Sequence, residues 1–240
     1  MILIYLIGPP GAGKSTALAG AIERLEWGEP EARSDPFAHG WYPTASAVIL
    51  GRQDVPFPGT DTLSLGVNPL AISFVRGCGA PTSISPIDGT SVEQGTTWNA
   101  PSNDHDPTRT EQVEVIVAEG DRLANPRFLG AAAAAGGVVL VAFELRPVVA
   151  YQRMLDRADA LGVPPQEESW WNGRATKTEN LRRLRGSGMT HETVDAGRSR
   201  EAVAEEVAEV ILRARAASVS HPRRMVSSRR RSASIRTEED

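Results

Sequence analysis

The sequence predicts an α/β fold, a mostly parallel sheet of about five strands between two helical layers. Two stretches predict it. The first is the apolar run Ile2-Leu3-Ile4-Tyr5-Leu6-Ile7, followed by a glycine-rich turn and then by helix-spaced apolar residues over 16–25. The second is Val113-Glu114-Val115-Ile116-Val117-Ala118, a strand-like run that ends in Glu119-Gly120-Asp121. Buried strands alternating with helical stretches are the pattern of a parallel sheet covered on both faces.

The turn after the first run is Gly8-Pro9-Pro10-Gly11-Ala12-Gly13-Lys14-Ser15, which fits G-x-x-x-x-G-K-[ST]. Strand, turn and helix stand in the order a phosphate-binding loop requires. Glycine lets the backbone curl so that its N–H groups face phosphate oxygens. The helix N-terminus adds about half a positive charge at the same place. Gly8 through Thr16 are therefore the candidate binding segment for a nucleoside triphosphate. Lys14 is placed to bridge the β- and γ-phosphates, and the Ser15 hydroxyl to hold Mg²⁺. Lys14 and Lys177 are the only lysines in a chain otherwise served by arginine, which fits a position needing a compact ammonium.

Further along, residues 26–45 read as a loop. Their aromatics, Trp27, Phe37, Trp41 and Tyr42, either plug a core edge or stack on a base. Residues 45–50 read as the second strand, with Gly51-Arg52 at its carboxyl end, where ligands bind in open α/β sheets. Thr60-Asp61, after Gly59, reads as a helix cap leading into 62–75. Asp61 is also a candidate to orient an acceptor hydroxyl, and the two roles are compatible. Arg52 and Asp61 are thus candidate substrate contacts.

Residues 77–111 carry little periodicity and read as a long loop insertion, a hairpin or a flap. The run Asn103-Asp104-His105-Asp106 within it reads as solvated rather than as a metal site. The acids after Ala118 suit a strand tip that orders Mg²⁺ beside the loop. Glu119 and Asp121 share a face if the strand continues; if the turn starts at Gly120 they do not, and the choice stays open.

An alanine-rich helix over 122–135 and a strand over 138–145 follow. A helix from about Pro147 carries Arg153 and Arg157 four residues apart, either a lid that clamps transferring phosphate or a solvated basic stripe. Arg174 and Lys177, after a Pro-Pro break, are candidates to close over the nucleotide. A last strand over 189–196 and a helix over 199–213 complete a domain of residues 1–216. The Arg- and Ser-rich remainder, 217–240, reads as a disordered tail, either a nucleic-acid contact or a solubilising end.

Length and composition set bounds. The 240 residues make one domain with additions, and a net charge of −4 gives no global basic field for nucleic acid. A single cysteine, Cys78, excludes an internal disulfide and fits a reducing compartment. The N-terminus does not read as a signal peptide. No apolar stretch reaches the roughly 18 residues a membrane span needs. The expectation is a cytoplasmic protein, or one made in a host cytoplasm.

The order of these features resembles the P-loop kinases of the nucleoside and nucleotide kinase group. Leu50-Gly51-Arg52, Phe57-Pro58-Gly59-Thr60-Asp61-Thr62-Leu63-Ser64, Glu119-Gly120-Asp121 and Gly173-Arg174 are similar to phage-borne P-loop proteins labelled ATP-binding or AAA-type. Some of those are related to kinases that phosphorylate 5-hydroxymethyluracil in phage DNA. The resemblance covers residues 1 to about 60 and 113 to about 213.

The resemblance implies a P-loop NTPase three-layer sandwich with a helical lid. It also implies ATP and Mg²⁺ as cofactors, and transfer of the γ-phosphoryl to a hydroxyl of a nucleotide or of a modified base in DNA. Lys14, Asp61, Glu119, Asp121, Arg153, Arg157 and Arg174 would be the catalytic set, and Ser15, Glu119 and Asp121 the metal set. A DNA-coupled P-loop ATPase and a nucleotide-binding module without turnover are the alternatives.

Overall fold

The computed structural model describes residues 1–55, 58–79 and 112–220. Most of the expected 77–111 insertion, the 103–106 run, Phe57 and the tail beyond Ser220 lie outside these residues. The chain runs β1 (Ile2–Ile7), α1 (Lys14–Arg24), β2 (Glu31–Arg33), β3 (His39–Tyr42), β4 (Ala47–Leu50) and α2 (Asn68–Gly79). It continues through β5 (Val115–Glu119), α3 (Pro126–Ala135), β6 (Val138–Glu144), α4 (Pro147–Ala160), α5 (Glu168–Arg183), β7 (Met189–Asp195) and α6 (Arg200–Ser220).

One sheet holds all seven strands in the order β2-β3-β4-β5-β1-β6-β7. The five strands from β4 to β7 are parallel, with β1 between β5 and β6. The β2–β3 hairpin extends the sheet antiparallel beyond β4. The sheet is therefore larger than the expected five strands, and the difference comes from 26–45, a stretch the sequence presents as loop. Strands of three and four residues are too short to show alternation. The edge of β4 pairs with β3, and β3 in turn pairs with β2.

Alternation along β1 divides the core. Leu3, Tyr5 and Ile7 face α2 and α3, packing with Phe74, Phe128 and Leu129. Ile4 and Leu6 face α1 and α6, packing with Leu18, Val207 and Ile211. Each such side chain, fully buried, contributes about 1.5–3 kcal/mol before entropy is counted. Trp27, Phe37, Trp41 and Tyr42 are all buried in these two clusters, so they plug the core and present no ring to a base.

Several boundaries differ from the sequence expectation, among them the start of α3, at Pro126 rather than 122. Asp61 does not open a helix over 62–75: Thr60–Thr62 form a single 3-10 turn, and α2 begins at Asn68. Pro69 suits the first turn of a helix and would break its interior, which fixes the later start. At the other end α6 extends through Ser220, past Ala217 where the tail was expected to begin. Among the described residues, no helix is long and apolar enough to cross a membrane.

His39, 5 % exposed in β3, lies against Phe37 and Phe74, and its Nδ1 donates to the Phe37 carbonyl at 2.8 Å. Burial lowers its pKa, with Arg33 acting the same way against the Phe37 bond and Asp35. The folded state thus resists protonation at pH values where the unfolded chain accepts it, and stability falls as pH drops below about 6.5. The expected loss at pH 5.5 is at most about 1.4 kcal/mol. Urea unfolding of wild type and His39→Asn, which keeps a donor near the Nδ1 position, should show the acid-side slope reduced in the variant.

Candidate active site

The loop lies where β1 ends against the first turn of α1. Gly11 and Gly13 take φ of +85° and +83°, which turns the backbone into a tight curl. Lys14 Nζ reaches back to the carbonyls of Gly8 (2.9 Å) and Pro9 (3.3 Å). Ser15 Oγ donates to Glu119 Oε1 at 2.7 Å. This contact follows from strand order: β5 is the immediate parallel neighbour of β1, with Glu119 in register with Leu6. The tip of β5 therefore stands beside the first turn of α1.

Glu119 is only 4 % exposed. Burial pushes its carboxyl above the ordinary value, while Lys14 and the Ser15 bond pull it down. Burial in turn lowers the Lys14 ammonium, and Glu119 and Asp61 hold it up. Each group sustains the charge that burial disfavours on the other.

Asp121 does not share this position. Gly120 takes a φ of +97°, so strand alternation ends at Glu119 and the next acid turns away. Asp121 accepts from Arg174 of α5, and its backbone N–H donates to Asp61 Oδ1 at 2.9 Å. Arg174 also stands 3.8 Å from Asp61. Lys177, one turn on, donates to the Asp121 carbonyl at 2.6 Å. The expected metal pair thus separates: Glu119 contacts Ser15, and Asp121 joins a cluster with Asp61, Arg174 and Lys177.

The structure does not bring Arg52 into that cluster. The chain turns at Gly51, with φ +88°, and the Arg52 guanidinium forms a bidentate pair with Asp54 in solvent. The two arginines of α4 also part company. Arg153 donates to the Ala196 carbonyl at 3.2 Å, and Arg157 acts electrostatically on Glu119. Helix α4 itself abuts the loop: a Cβ on Gly11 would run into the Ala150 carbonyl.

Two residues that position this centre are not signalled by any motif role. Gly59 has φ +88°, and a Cβ there would lie 2.6 Å from Glu119 Oε1 and 2.8 Å from the Glu119 carbonyl oxygen. The glycine lets the 59–61 segment lie directly on the acid. Tyr5 is fully buried, and its hydroxyl donates to the Gly120 carbonyl at 2.9 Å while standing 3.3 Å from Thr60 Oγ1. It ties together the two turns that carry Glu119 and Asp61. A tyrosine in an otherwise aliphatic strand is the signal that could have marked it.

Two cavities flank the centre. One, of about 730 Å³, runs from Pro9 past Arg153 to Asp195 and Gly197 at the carboxyl end of β7. The other, of about 610 Å³, lies over Asp61 and Asp121 beneath α5. Among the described residues, no group of three or more His, Cys, Asp or Glu side chains could hold a metal ion by itself.

The parallel sheet, the loop at the tip of β1 and the acid on the neighbouring strand define the fold of the P-loop NTPases. Residues 104–204 match the family P-loop Nucleotide Kinase3, which supports a P-loop kinase. That match spans less than half of the chain, and holds Glu119, Asp121 and helices α4 and α5. Among solved structures, a gluconokinase from Sinorhizobium meliloti 1021 is similar at 13 % identity and a TM-score of 0.45. The similarity covers 91 % of this chain and 97 % of that one. No curated protein sequence matches the chain.

Removing the Tyr5 hydroxyl leaves the half-buried Gly120 carbonyl without the donor that the core supplies. Tyr5→Phe should cost about 1–3 kcal/mol in urea unfolding. A variant as stable as wild type would remove Tyr5 from its tying role.

Proposed function

We propose that this protein is an ATP-dependent phosphotransferase that moves the γ-phosphoryl of ATP to a hydroxyl of a nucleotide or of a modified base in DNA. The observation that carries the reading is the Ser15–Glu119 contact, with the Asp61–Asp121–Arg174 cluster immediately beyond it. A triphosphate held by the loop amides would point its terminal phosphate at that cluster.

The donor side fits the residues present. Glycine-turned amides and Lys14 suit polyphosphate oxygens. The Ser15 hydroxyl and the Glu119 carboxylate are hard oxygen donors of the kind Mg²⁺ prefers, directly or through its waters. Bound there, the ion would neutralise charge on the β- and γ-phosphates. The cavity past Pro9 and Arg153 would hold the nucleoside.

On the acceptor side, the bond between the γ-phosphorus and the β-bridging oxygen breaks. A bond from the acceptor oxygen to the γ-phosphorus forms, and the hydroxyl proton passes to Asp61. Lys14, Arg157 and Arg174 supply positive charge around the transferring group. Positioning and charge stabilisation carry the rate.

With radiolabelled ATP, label should pass to a nucleotide or to DNA containing 5-hydroxymethyluracil. Lys14→Ala should lower transfer about a hundredfold or more with the circular dichroism spectrum retained. Asp61→Asn should lower kcat far more than it weakens ATP binding. DNA-stimulated release of free phosphate without transfer would overturn the reading in favour of a coupled ATPase. ATP binding with neither outcome would leave a binding module.

Gly59→Ala tests the donor side separately. The added methyl would push Glu119 off Ser15, and the Mg²⁺-dependent part of ATP affinity should fall about 10–100-fold. Titration of ATP with and without Mg²⁺ reads it, and an unchanged Mg²⁺ dependence would remove Glu119 from the metal set.

A further inference from the structure

One wall of the cavity beneath α5 is a single helical face. Ser169, Trp170, Gly173, Arg174 and Lys177 all line it, and residues three or four apart share a helix face. Ser169 stands in the first turn of α5, where that face begins. A Cβ on Gly173, one turn on, would meet nothing within 4 Å, so the helix surface beside Ser169 is open.

Ser169 is the one hydroxyl side chain among the described residues lining this cavity, and it is exposed. The other hydroxyls nearby are committed to the fold. Ser15 donates to Glu119, and Thr60 is fully buried against Tyr5. Thr62 Oγ1 donates to the Gly59 carbonyl at 2.8 Å, and Thr178 Oγ1 to the Arg174 carbonyl at 3.1 Å. Ser169 Oγ instead donates to a carboxylate, Glu167 Oε2, at 3.2 Å. A hydroxyl bonded to an acid already has a place for its proton, which is what attack on phosphorus requires. The same cavity holds Asp61 and Asp121, the cluster toward which a triphosphate in the loop would point.

We infer that Ser169 is a modification site: with no outside acceptor in the cavity, the chain transfers the γ-phosphoryl of its own bound ATP to Ser169 Oγ. This inference rests on the phosphotransfer reading of the same site. The bond between the γ-phosphorus and the β-bridging oxygen breaks, and its electron pair stays with ADP. A bond from Ser169 Oγ to the γ-phosphorus forms, and the hydroxyl proton passes to Glu167. The products are phosphoserine and ADP, and no further reactant is consumed. Ser169 lies on the helix that covers this chain's own centre, so the transfer occurs within one chain.

The test incubates the full chain with ATP and Mg²⁺, and follows the protein by intact mass and by mapping of the phosphorylated peptide. Parallel reactions contain a nucleotide or DNA with 5-hydroxymethyluracil. Without an acceptor, wild type should gain one phosphoryl group per chain, at Ser169, at a rate independent of protein concentration. Ser169→Ala should abolish the gain with the circular dichroism spectrum retained. Ser169→Thr should restore it at the same position, which a merely structural role would not predict. Glu167→Gln should slow it about tenfold or more, with the ATP Kd changed less than about twofold. Lys14→Ala should stay unmodified even when mixed with wild type.

A phosphoryl group on another residue, or modification of Lys14→Ala by wild type, would overturn the inference. So would an unmodified wild type that still phosphorylates an outside acceptor, and that result leaves phosphotransfer standing. A chain that phosphorylates neither itself nor any acceptor sinks both. Modification at Ser169 with no transfer to an outside acceptor upholds the inference and the phosphotransfer chemistry it rests on. A rate unmoved by Glu167→Gln would overturn the proton's assignment to that acid.

Discussion

The hydrogen bond from Ser15 to Glu119 is the constraint on which the rest depends. It exists only because β5 lies directly beside β1, so that an acid at one strand tip meets the first helical turn after the other. Burial makes the acid costly, and Lys14 offsets that cost while being itself held charged by Glu119. Gly59 and Tyr5 fix the surroundings. The glycine admits a backbone segment against the carboxylate, and the phenol pins the two turns on either side. A change at either would be felt at the loop without touching it.

The opposite half of the centre is held by Arg174. Its reach to Asp121 and Asp61 fastens α5 over the tip of β5, and Trp170 stacks on the same guanidinium. One side chain thus joins a helix, a strand tip and the turn at Thr60–Thr62. Planarity suits arginine to this, since its fork can meet two carboxylates and a ring at once.

The loop of residues 8–15 is legible in the sequence because its spacing, its preceding strand and its following helix all agree. The parallel strands β5 and β6 are legible as apolar runs. What is hidden depends on backbone angles and on distant partners. The choice between Glu119 and Asp121 turns on the φ of Gly120, which no spacing reveals. The β2–β3 hairpin needs the edge of β4 before its short segments become strands. The 3-10 turn at Asp61 looks like a helix cap until Pro69 moves the helix onward. Arg52 sits at a strand end where ligands gather, yet Asp54, two residues away, takes its charge.

The close approach of Gly11 to the Ala150 carbonyl has an evolutionary corollary. A larger residue at position 11 would need α4 to draw back before a Cβ could fit, and α4 also carries Arg153 and Arg157. The loop of residues 8–15 and the arginine-bearing helix are therefore sterically coupled, so a change of size at one must be met by the other.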